Sequence, residues 1–234
     1  MKSFIPNLLT LANLACGLLA IVSIFSGNIS TAAWLVGFSL VFDFLDGFMA
    51  RLLRVHSELG KQLDSLADLV TFGVAPGFLM FKLFRFAMQG GEPIPEFLPY
   101  IALLIPLFSA LRLAKFNIDT RQAEYFIGMP TPANAIFIFS LALMALYGSN
   151  DTTQAILLHP FFLTAITVLT SFLLVAELPL MSLKVKNASW SDNRGRIILL
   201  VVLGLLLVIF RFRALLFIIP LYLVLSLIFK PHQK

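Results

Sequence analysis

Long apolar runs separated by short polar breaks organise almost the whole chain. The runs cover about 5–26, 31–55, 63–88, 97–116, 131–148, 155–180, 196–210 and 213–230. Each approaches the roughly 20 residues that an α-helix needs to cross a bilayer. The breaks at 26–28, 90–95, 148–151 and 184–196 contain turn-forming or charged residues. The pattern therefore predicts an all-α, polytopic transmembrane helical bundle of about eight spans.

The composition agrees with a membrane protein. Hydrophobic residues make up 59% of the chain, charged residues make up 12%, and the mean hydropathy is +0.95. A single membrane domain is the simplest interpretation, because a water-soluble domain could not solvate such a surface. The first run continues to Phe25, longer than the h-region of about 7–15 residues in a signal peptide, so we expect a retained helix. Cys16 is the only cysteine, which excludes an intrachain disulfide.

Lysine and arginine are distributed unevenly among the predicted loops. With the N-terminus inside, 13 of the 17 basic residues fall on the cytoplasmic side, and the exceptions are Lys82, Arg85, Arg211 and Arg213. Cytoplasmic loops are enriched in these residues, so both chain ends are predicted to be cytoplasmic. The net charge of +5 is then explained by topology and attraction to anionic membrane lipids. Nucleic acid is not expected as a partner.

Four aspartates stand out against this apolar background. They occur in the pattern Asp43-x-x-Asp46-Gly47-x-x-Ala50-Arg51, followed after eight residues by Gly60-x-x-x-Asp64-x-x-x-Asp68. Residues three, four, seven and eight apart share one face of a helix. Two helices joined by a turn would therefore direct the four carboxylates into one space near the cytoplasmic surface.

The energetic cost of this arrangement suggests its chemistry. An acidic side chain at membrane depth costs about 2.5–3.5 kcal/mol, and neighbouring negative charges add repulsion. One arginine cannot neutralise four acids, whereas Mg²⁺ or Mn²⁺ would suit a site made entirely of carboxylate oxygens. Two such ions would also suit phosphoryl transfer. A polytopic transporter that binds its cation through intramembrane acids remains an alternative at this point.

The acidic pattern resembles the signature of the CDP-alcohol phosphotransferase family, and all eight fixed positions match. The resemblance implies an integral membrane enzyme, usually a homodimer, with a core of six helices. Such an enzyme displaces CMP from a CDP-linked substrate with an alcohol. Residues 1–180 would form this core, with the motif at 43–68. Residues 181–234 would add a cytoplasmic basic loop and a C-terminal transmembrane hairpin to the same domain.

Flanking stretches at 6–14, 68–76, 112–117 and 126–133 resemble the branch of this family that uses serine. This similarity implies CDP-diacylglycerol and L-serine as substrates, a role in phospholipid biosynthesis, and a multi-pass location in the cell (inner) membrane. Another acceptor, such as glycerol 3-phosphate or an inositol phosphate, is left open by the motif. An ether-linked lipid donor is equally open.

The family resemblance assigns Asp43, Asp46, Asp64 and Asp68 to the metal site, with two ions expected, and makes Asp68 the general base as well. Other polar and small residues of the motif and its flanks are expected to bind the CDP group: Gly47, Ala50, Arg51, Gly60, Asn7 and Thr10. A third set is expected at the lipid phosphate or the serine: Asn13, Thr71, Arg112, Lys115, Asn117 and Arg121. Helix packing, interhelical hydrogen bonding and positive-inside topology are the structural alternatives for the residues outside the acid set.

Overall fold

The computed structural model describes most of the chain up to residue 180 and a few residues near the C-terminus. The described residues are 4–55, 57–89, 95–119, 126–148 and 150–180, together with 216, 217, 220–222 and 226. The predicted spans at 196–210 and 213–230 lie almost entirely outside these residues and stay predictions. Arg121 also lies outside them.

Helices account for nearly all of the described structure. The first half contains α1 (Phe4–Phe25), α2 (Ile29–Leu52), α3 (Glu58–Asp68), a π-helical segment (Leu69–Val74) and α4 (Ala75–Gln89). The second half contains a 3₁₀ segment (Leu98–Leu103), α5 (Leu104–Ile118), α6 (Thr131–Tyr147), α7 (Asp151–Leu157) and α8 (Pro160–Val175). Helices satisfy every internal backbone group, which a segment in lipid requires.

The polytopic helical bundle predicted from the apolar runs is confirmed. Within the described residues, four helical stretches are long and apolar enough to cross a membrane: Phe4–Phe25, Ile29–Leu52, Glu58–Gln89 and Leu98–Ile118. A fifth candidate is the pair α7 and α8, which is bent by 56°. The shorter apolar helix α6 lies between these groups.

Tight turns connect the first three helices and set their directions. Gly27 has a φ of 86° and closes α1 with the backbone bonds Gly27 N–H to Ile24 O and Asn28 N–H to Ser23 O. This Schellman closure needs a left-handed residue, which glycine adopts at no steric cost. The same pair of bonds closes α2, where Arg54 takes the left-handed position with a φ of 52°. Both turns reverse the chain, so α2 and α3 each pack against α1.

Small residues allow the helices to approach closely around the buried π-helical segment. A Cβ at Gly73 would lie 2.9 Å from the Cβ of Ser109 in α5. A Cβ at Gly77 would lie 2.6 Å from Cδ of Pro106. Phe72 is fully buried at this level. Close backbone approach at small residues is the usual packing of membrane helices, and here it fixes α5 against the segment that follows Asp68.

A short strand pair joins the loop before α6 to the end of α8. Strand β1 (Phe126–Ile127) pairs with β2 (Pro179–Leu180) in antiparallel register. Gly128, with a φ of 76°, donates its N–H to Leu178 O. The pair comprises only two residues on each side, so the protein keeps its all-α class. It holds the N-terminal end of α6 in place.

Gly17 provides a test of this packing. A Cβ at Gly17 would collide with Thr71 Oγ1, whereas a Cβ at Gly37 in α2 would have no neighbour within 4 Å. We expect Gly17→Ala to lower the free energy of unfolding by about 1–3 kcal/mol, because overpacking forces neighbouring groups to move. Gly37→Ala is the matched control and should retain or raise stability. Thermal unfolding in detergent measures both, and equal stability of the two variants would contradict the close contact.

Candidate active site

The acidic motif occupies the two helices that the turn at 53–57 connects. The C-terminal half of α2 carries Asp43 and Asp46, and α3 carries Asp64 and Asp68. Ser57 caps α3 by accepting a hydrogen bond from Gly60 N–H at 2.9 Å. The predicted pair of helices joined by a turn is therefore present, with the acidic faces turned toward each other.

Three of the four carboxylates converge. Oxygen atoms of Asp43, Asp64 and Asp68 all lie within 4.8 Å of one another. Within the described part of the chain, the buried Asp64 Oδ1 has no hydrogen-bond donor. Three like charges in this position repel each other unless a cation or protons compensate them. The donor set of hard carboxylate oxygens fits a divalent cation such as Mg²⁺.

Asp46 lies beside this trio and has a different environment. It is 6% exposed, and its Oδ2 accepts a hydrogen bond from Thr10 Oγ1 at 2.6 Å. Its charge also acts on Asp43 and Asp64. Thr10 therefore orients Asp46 across the interface between α1 and α2. This contact is the interhelical hydrogen bond that the sequence offered as the alternative role for Thr10.

Asp68 is held from α1 by Asn13. The Asn13 Nδ2 donates to Asp68 Oδ1 at 3.2 Å, and Asn13 is fully buried. The backbone carbonyl oxygen of Asn13 in turn accepts from Ser39 Oγ at 3.2 Å and from Thr71 Oγ1 at 3.3 Å. Asp68 is 9% exposed. One carboxylate oxygen of Asp68 is thus fixed by the protein, which leaves the other available for a metal ion or a proton.

A cavity of about 330 Å³ opens beside the acids. Its volume falls at the lower end of the range for small-molecule sites, about 300–1,000 Å³. It lies between α1, the end of α2 and the start of α3. Its lining residues are Pro6, Asn7, Thr10, Asp46, Gly47, Ala50, Val55, Ser57, Glu58, Gly60, Lys61 and Asp64. Five of the six residues predicted to bind the CDP group are therefore on its wall.

The two motif glycines have different surroundings in this cavity. A Cβ at Gly47 would meet Arg51 Nη1 at 3.7 Å, so the backbone there is open to a ligand. A Cβ at Gly60 would lie 3.0 Å from Ser57 Oγ and 3.2 Å from Asn7 Oδ1. Gly60 therefore serves the packing of α3 on α1 as well as the cavity wall. Arg51 is exposed and lies over Gly47.

The residues predicted outside the motif separate into different environments. Arg112 is 8% exposed and donates from Nη1 to Thr131 Oγ1 at 3.3 Å, whereas Lys115 is exposed. Asn117 Nδ2 donates to Ser65 Oγ at 2.8 Å, and Lys61 Nζ donates to the Asn117 carbonyl at 2.8 Å. These two bonds join the end of α5 to α3, so Asn117 has a structural partner next to the acidic helix.

Sequence reasoning missed several polar residues of the site. Ser57, Glu58 and Lys61 line the cavity, and Thr131 contacts Arg112. A serine directly before a helix with an acidic residue in its first turn, here Glu58, is a recognisable N-cap signal, so Ser57 was accessible to sequence analysis. The partnership between Thr131 and Arg112 joins helices that no local pattern pairs.

The profile of the CDP-alcohol phosphatidyltransferase family matches residues 3–175, which include every described residue of the cavity and the acid trio. The chain belongs to the CDP-alcohol phosphatidyltransferase family. The family membership that the acidic pattern implied is thus confirmed, and the pattern from Asp43 to Asp68 lies inside the matched region.

Relatives in this family include proteins named for serine transfer. The chain is 41% identical over 134 residues to the CDP-diacylglycerol–serine O-phosphatidyltransferase of Bacillus subtilis, covering 56% of this chain and 70% of that protein. It is 37% identical over 143 residues to the protein of the same name from Helicobacter pylori strain J99, covering 59% and 57%. It is also 34% identical over 149 residues to an archaetidylserine synthase of Methanothermobacter thermautotrophicus, covering 61% and 59%. The matched region therefore spans 57–70% of the length of these relatives.

Proposed function

We propose that this family member transfers the phosphatidyl group of CDP-diacylglycerol to the hydroxyl of L-serine, forming phosphatidylserine and releasing CMP. The observation that carries the proposal is the convergence of Asp43, Asp64 and Asp68 next to the cavity, with Asp68 held by Asn13. The names of the relatives support serine as the acceptor.

The proposed reaction exchanges one phosphorus–oxygen bond for another. The serine hydroxyl oxygen forms a bond to the phosphorus that carries diacylglycerol, and the bond from that phosphorus to the bridging oxygen breaks. The bridging oxygen leaves with CMP. Asp68 takes the proton of the serine hydroxyl, because an alcohol is a weak nucleophile until a positioned base accepts its proton. The Asn13 bond orients Asp68 for this task.

Asp43, Asp46, Asp64 and Asp68 would hold the divalent cations, which we propose to be two Mg²⁺ or Mn²⁺ ions. Bound ions would supply positive charge against the phosphate oxygens and the leaving CMP. The buried Asp64 Oδ1, which has no donor among the residues that the structure describes, supports this assignment. Thr10 contributes by orienting Asp46, since the Thr10 hydroxyl donates a hydrogen bond to one of the two carboxylate oxygens of Asp46.

The cavity beside the acids is proposed to receive the CDP group. Gly47 and Ala50 present backbone and a small side chain to it, and Asn7 adds an amide at its wall. Backbone exposed at glycine allows a flat or charged ligand to approach closely. Arg51, which lies over Gly47, is positioned to meet a phosphate at the rim.

The cellular setting follows from the charge distribution along the chain. We propose a multi-pass protein of the cell (inner) membrane with both termini and the site at the cytoplasmic face, since 13 of 17 basic residues fit that side. We propose residues 1–180 as the catalytic core, with 181–234 completing the same membrane domain, and a homodimer as the assembly.

Purified protein in detergent micelles tests the proposed reaction. CMP release from CDP-diacylglycerol should require both L-serine and Mg²⁺ or Mn²⁺, and phosphatidylserine should be the lipid product. The control reactions replace serine by glycerol 3-phosphate or by an inositol phosphate. Faster turnover with either of these, and none with serine, would overturn serine as the acceptor. Cation transport without any CMP release would support a transporter instead.

An ether-linked donor is the second candidate, because one relative is an archaetidylserine synthase at 34% identity. The same assay with the CDP-activated ether lipid in place of CDP-diacylglycerol decides between the donors. A clear preference in kcat/KM for the ether lipid would replace the proposed donor and retain the acceptor.

A further inference from the structure

Arg112 is a buried cation with unused hydrogen-bonding capacity. It is 8% exposed, one of its terminal nitrogens donates to Thr131, and its guanidinium lies 5.4 Å from the centre of the Phe116 ring. Among the described residues, Arg112 Nε has no acceptor. A buried charge with unpaired donors is costly, so a residue in this position favours an anionic ligand.

The end of α6 that Arg112 meets is also unsatisfied. Helix α6 begins at Thr131, and no side chain caps it. One turn further along the same face, Asn134 is fully buried, and neither its amide nitrogen nor its amide oxygen has a partner within the described residues. Thr131 and Ala133 supply the N–H groups of this first turn, since Pro130 and Pro132 have none, and such groups attract anions. We call Arg112, Thr131 and Asn134 the α6 niche.

Arg112 of the α6 niche lies near Asp68 and outside the lining of the CDP cavity. Asn117 donates a hydrogen bond to Ser65, and eight residues earlier in α5 Ser109 lies against Gly73. The α5 helix therefore runs antiparallel to the stretch from α3 to α4. Arg112 is therefore level with the residues just after Asp68, and the two side chains attract each other electrostatically. No niche residue lines the CDP cavity. The niche and the CDP cavity are thus two distinct regions near the acidic motif.

In a displacement at phosphorus, the attacking and leaving groups occupy different positions around the phosphorus atom. Attacking and leaving oxygens lie roughly in line, on opposite sides of the phosphorus. If CMP leaves toward the cavity, the acceptor hydroxyl must approach from outside it, and Arg112 is a buried cation outside the cavity that lies near the base Asp68. The acceptor is small and polar, and it fits a buried polar niche better than a lipid would.

We propose that Arg112, together with the N-terminus of α6 at Thr131, binds the carboxylate of the amino-acid acceptor. This inference rests on the proposed function, since it presupposes an acceptor with a carboxylate. The planar guanidinium offers paired N–H groups that match a carboxylate. The side-chain amide of Asn134, unpaired among the described residues, is available to hydrogen-bond the remaining polar groups of the acceptor. Arg112 is thereby a specificity determinant for the acceptor rather than a topology signal.

Steady-state kinetics of Arg112→Gln tests the assignment. We expect the KM for L-serine to rise on the order of 10²-fold, because loss of one partner of a buried charge pair has an effect of that size. The KM for CDP-diacylglycerol should change less than about 3-fold. Arg112→Lys keeps the positive charge but lacks the planar pair of N–H groups. Its KM for L-serine should therefore lie between those of the wild type and Arg112→Gln. The exposed residue Arg85 provides the matched control, Arg85→Gln, with unchanged kinetics.

An acceptor that lacks the carboxylate provides a stricter test. Serinol keeps the hydroxyl and amine of serine but lacks the carboxylate, so its kcat/KM should be nearly equal in the wild type and in Arg112→Gln. A larger KM for CDP-diacylglycerol, with serine affinity retained, would place Arg112 on the lipid phosphate and overturn the inference. Equal losses with serine and serinol, or a lower melting temperature with unchanged KM values, would show a structural role instead.

These outcomes remain distinct from failure of the proposed function. A wild-type enzyme that ignores serine and uses an acceptor without a carboxylate would overturn both proposals. A wild-type enzyme that uses serine, combined with an Arg112→Gln variant of unchanged serine KM, would overturn only the assignment of Arg112.

Discussion

Asp68→Asn is expected to reduce turnover by about 10³-fold or more while the affinity for CDP-diacylglycerol stays close to that of the wild type. An amide of the same shape keeps an oxygen that can accept the Asn13 bond, but it cannot take the proton of an attacking hydroxyl. General-base catalysis typically contributes about 10²–10⁴-fold. The measurement combines CMP release under saturating serine with a separate binding assay for the CDP-lipid.

Asp151→Asn is the control for this prediction, because Asp151 is an exposed residue at the start of α7, far from the motif in sequence. It should retain turnover within about twofold, as surface substitutions usually do. Turnover near the wild-type level in Asp68→Asn would remove Asp68 as the base. Loss of CDP-lipid binding in that variant would instead assign it mainly to the metal site.

Asp64→Ala is expected to abolish the response to divalent cations, in activity and in stability. The Asp64 oxygens belong to the trio that converges within 4.8 Å, and one of them has no donor in the described structure. Removing one of a few carboxylate ligands weakens a site whose affinity depends on ligand number and charge. Activity should therefore need at least about 10-fold more Mg²⁺ or Mn²⁺, or disappear. Asp43→Ala should behave in the same way.

Thermal unfolding provides a second measurement, in which the stability of Asp64→Ala relative to the wild type should differ between EDTA and Mg²⁺. In EDTA, Asp64→Ala should be at least as stable as the wild type, because it removes one of three mutually repelling charges. Added Mg²⁺ should raise the melting temperature of the wild type by mass action but not that of the variant. Asp151→Ala should follow the wild type under both conditions. Unchanged activity of Asp64→Ala across a metal titration would reject the metal assignment.

Much of the bundle was accessible from the sequence because one rule governs it. A segment in lipid must satisfy its own backbone, so each apolar run of sufficient length becomes a helix. Within the described residues, α1 and α2 lie within a few residues of the predicted bounds. The spacing also predicted one acidic face on each helix, with Asp43 and Asp46 on α2 and Asp64 and Asp68 on α3, because helical geometry repeats every 3.6 residues. The sequence thus identified the acids before any packing was known.

The roles of the polar residues around the acids depended on tertiary structure. The hydrogen bond from Asn13 to Asp68 joins residues 55 positions apart, and the bond from Asn117 to Ser65 joins residues 52 positions apart. Sequence analysis placed Asn13 and Asn117 at a bound substrate, whereas the structure gives each of them a protein partner. No local pattern encodes such pairs, since they depend on which helix faces meet.

The sequence by itself determined the helices, the acidic faces and the family signature, because these follow from local spacing and from the cost of charge in lipid. Only the tertiary structure decided that Thr10 orients Asp46, that Asn13 holds Asp68, and that Arg112 meets the start of α6. The physical reason is the close approach at small residues such as Gly17 and Gly73. These contacts set the helix rotations, and the rotations determine which polar groups share a site.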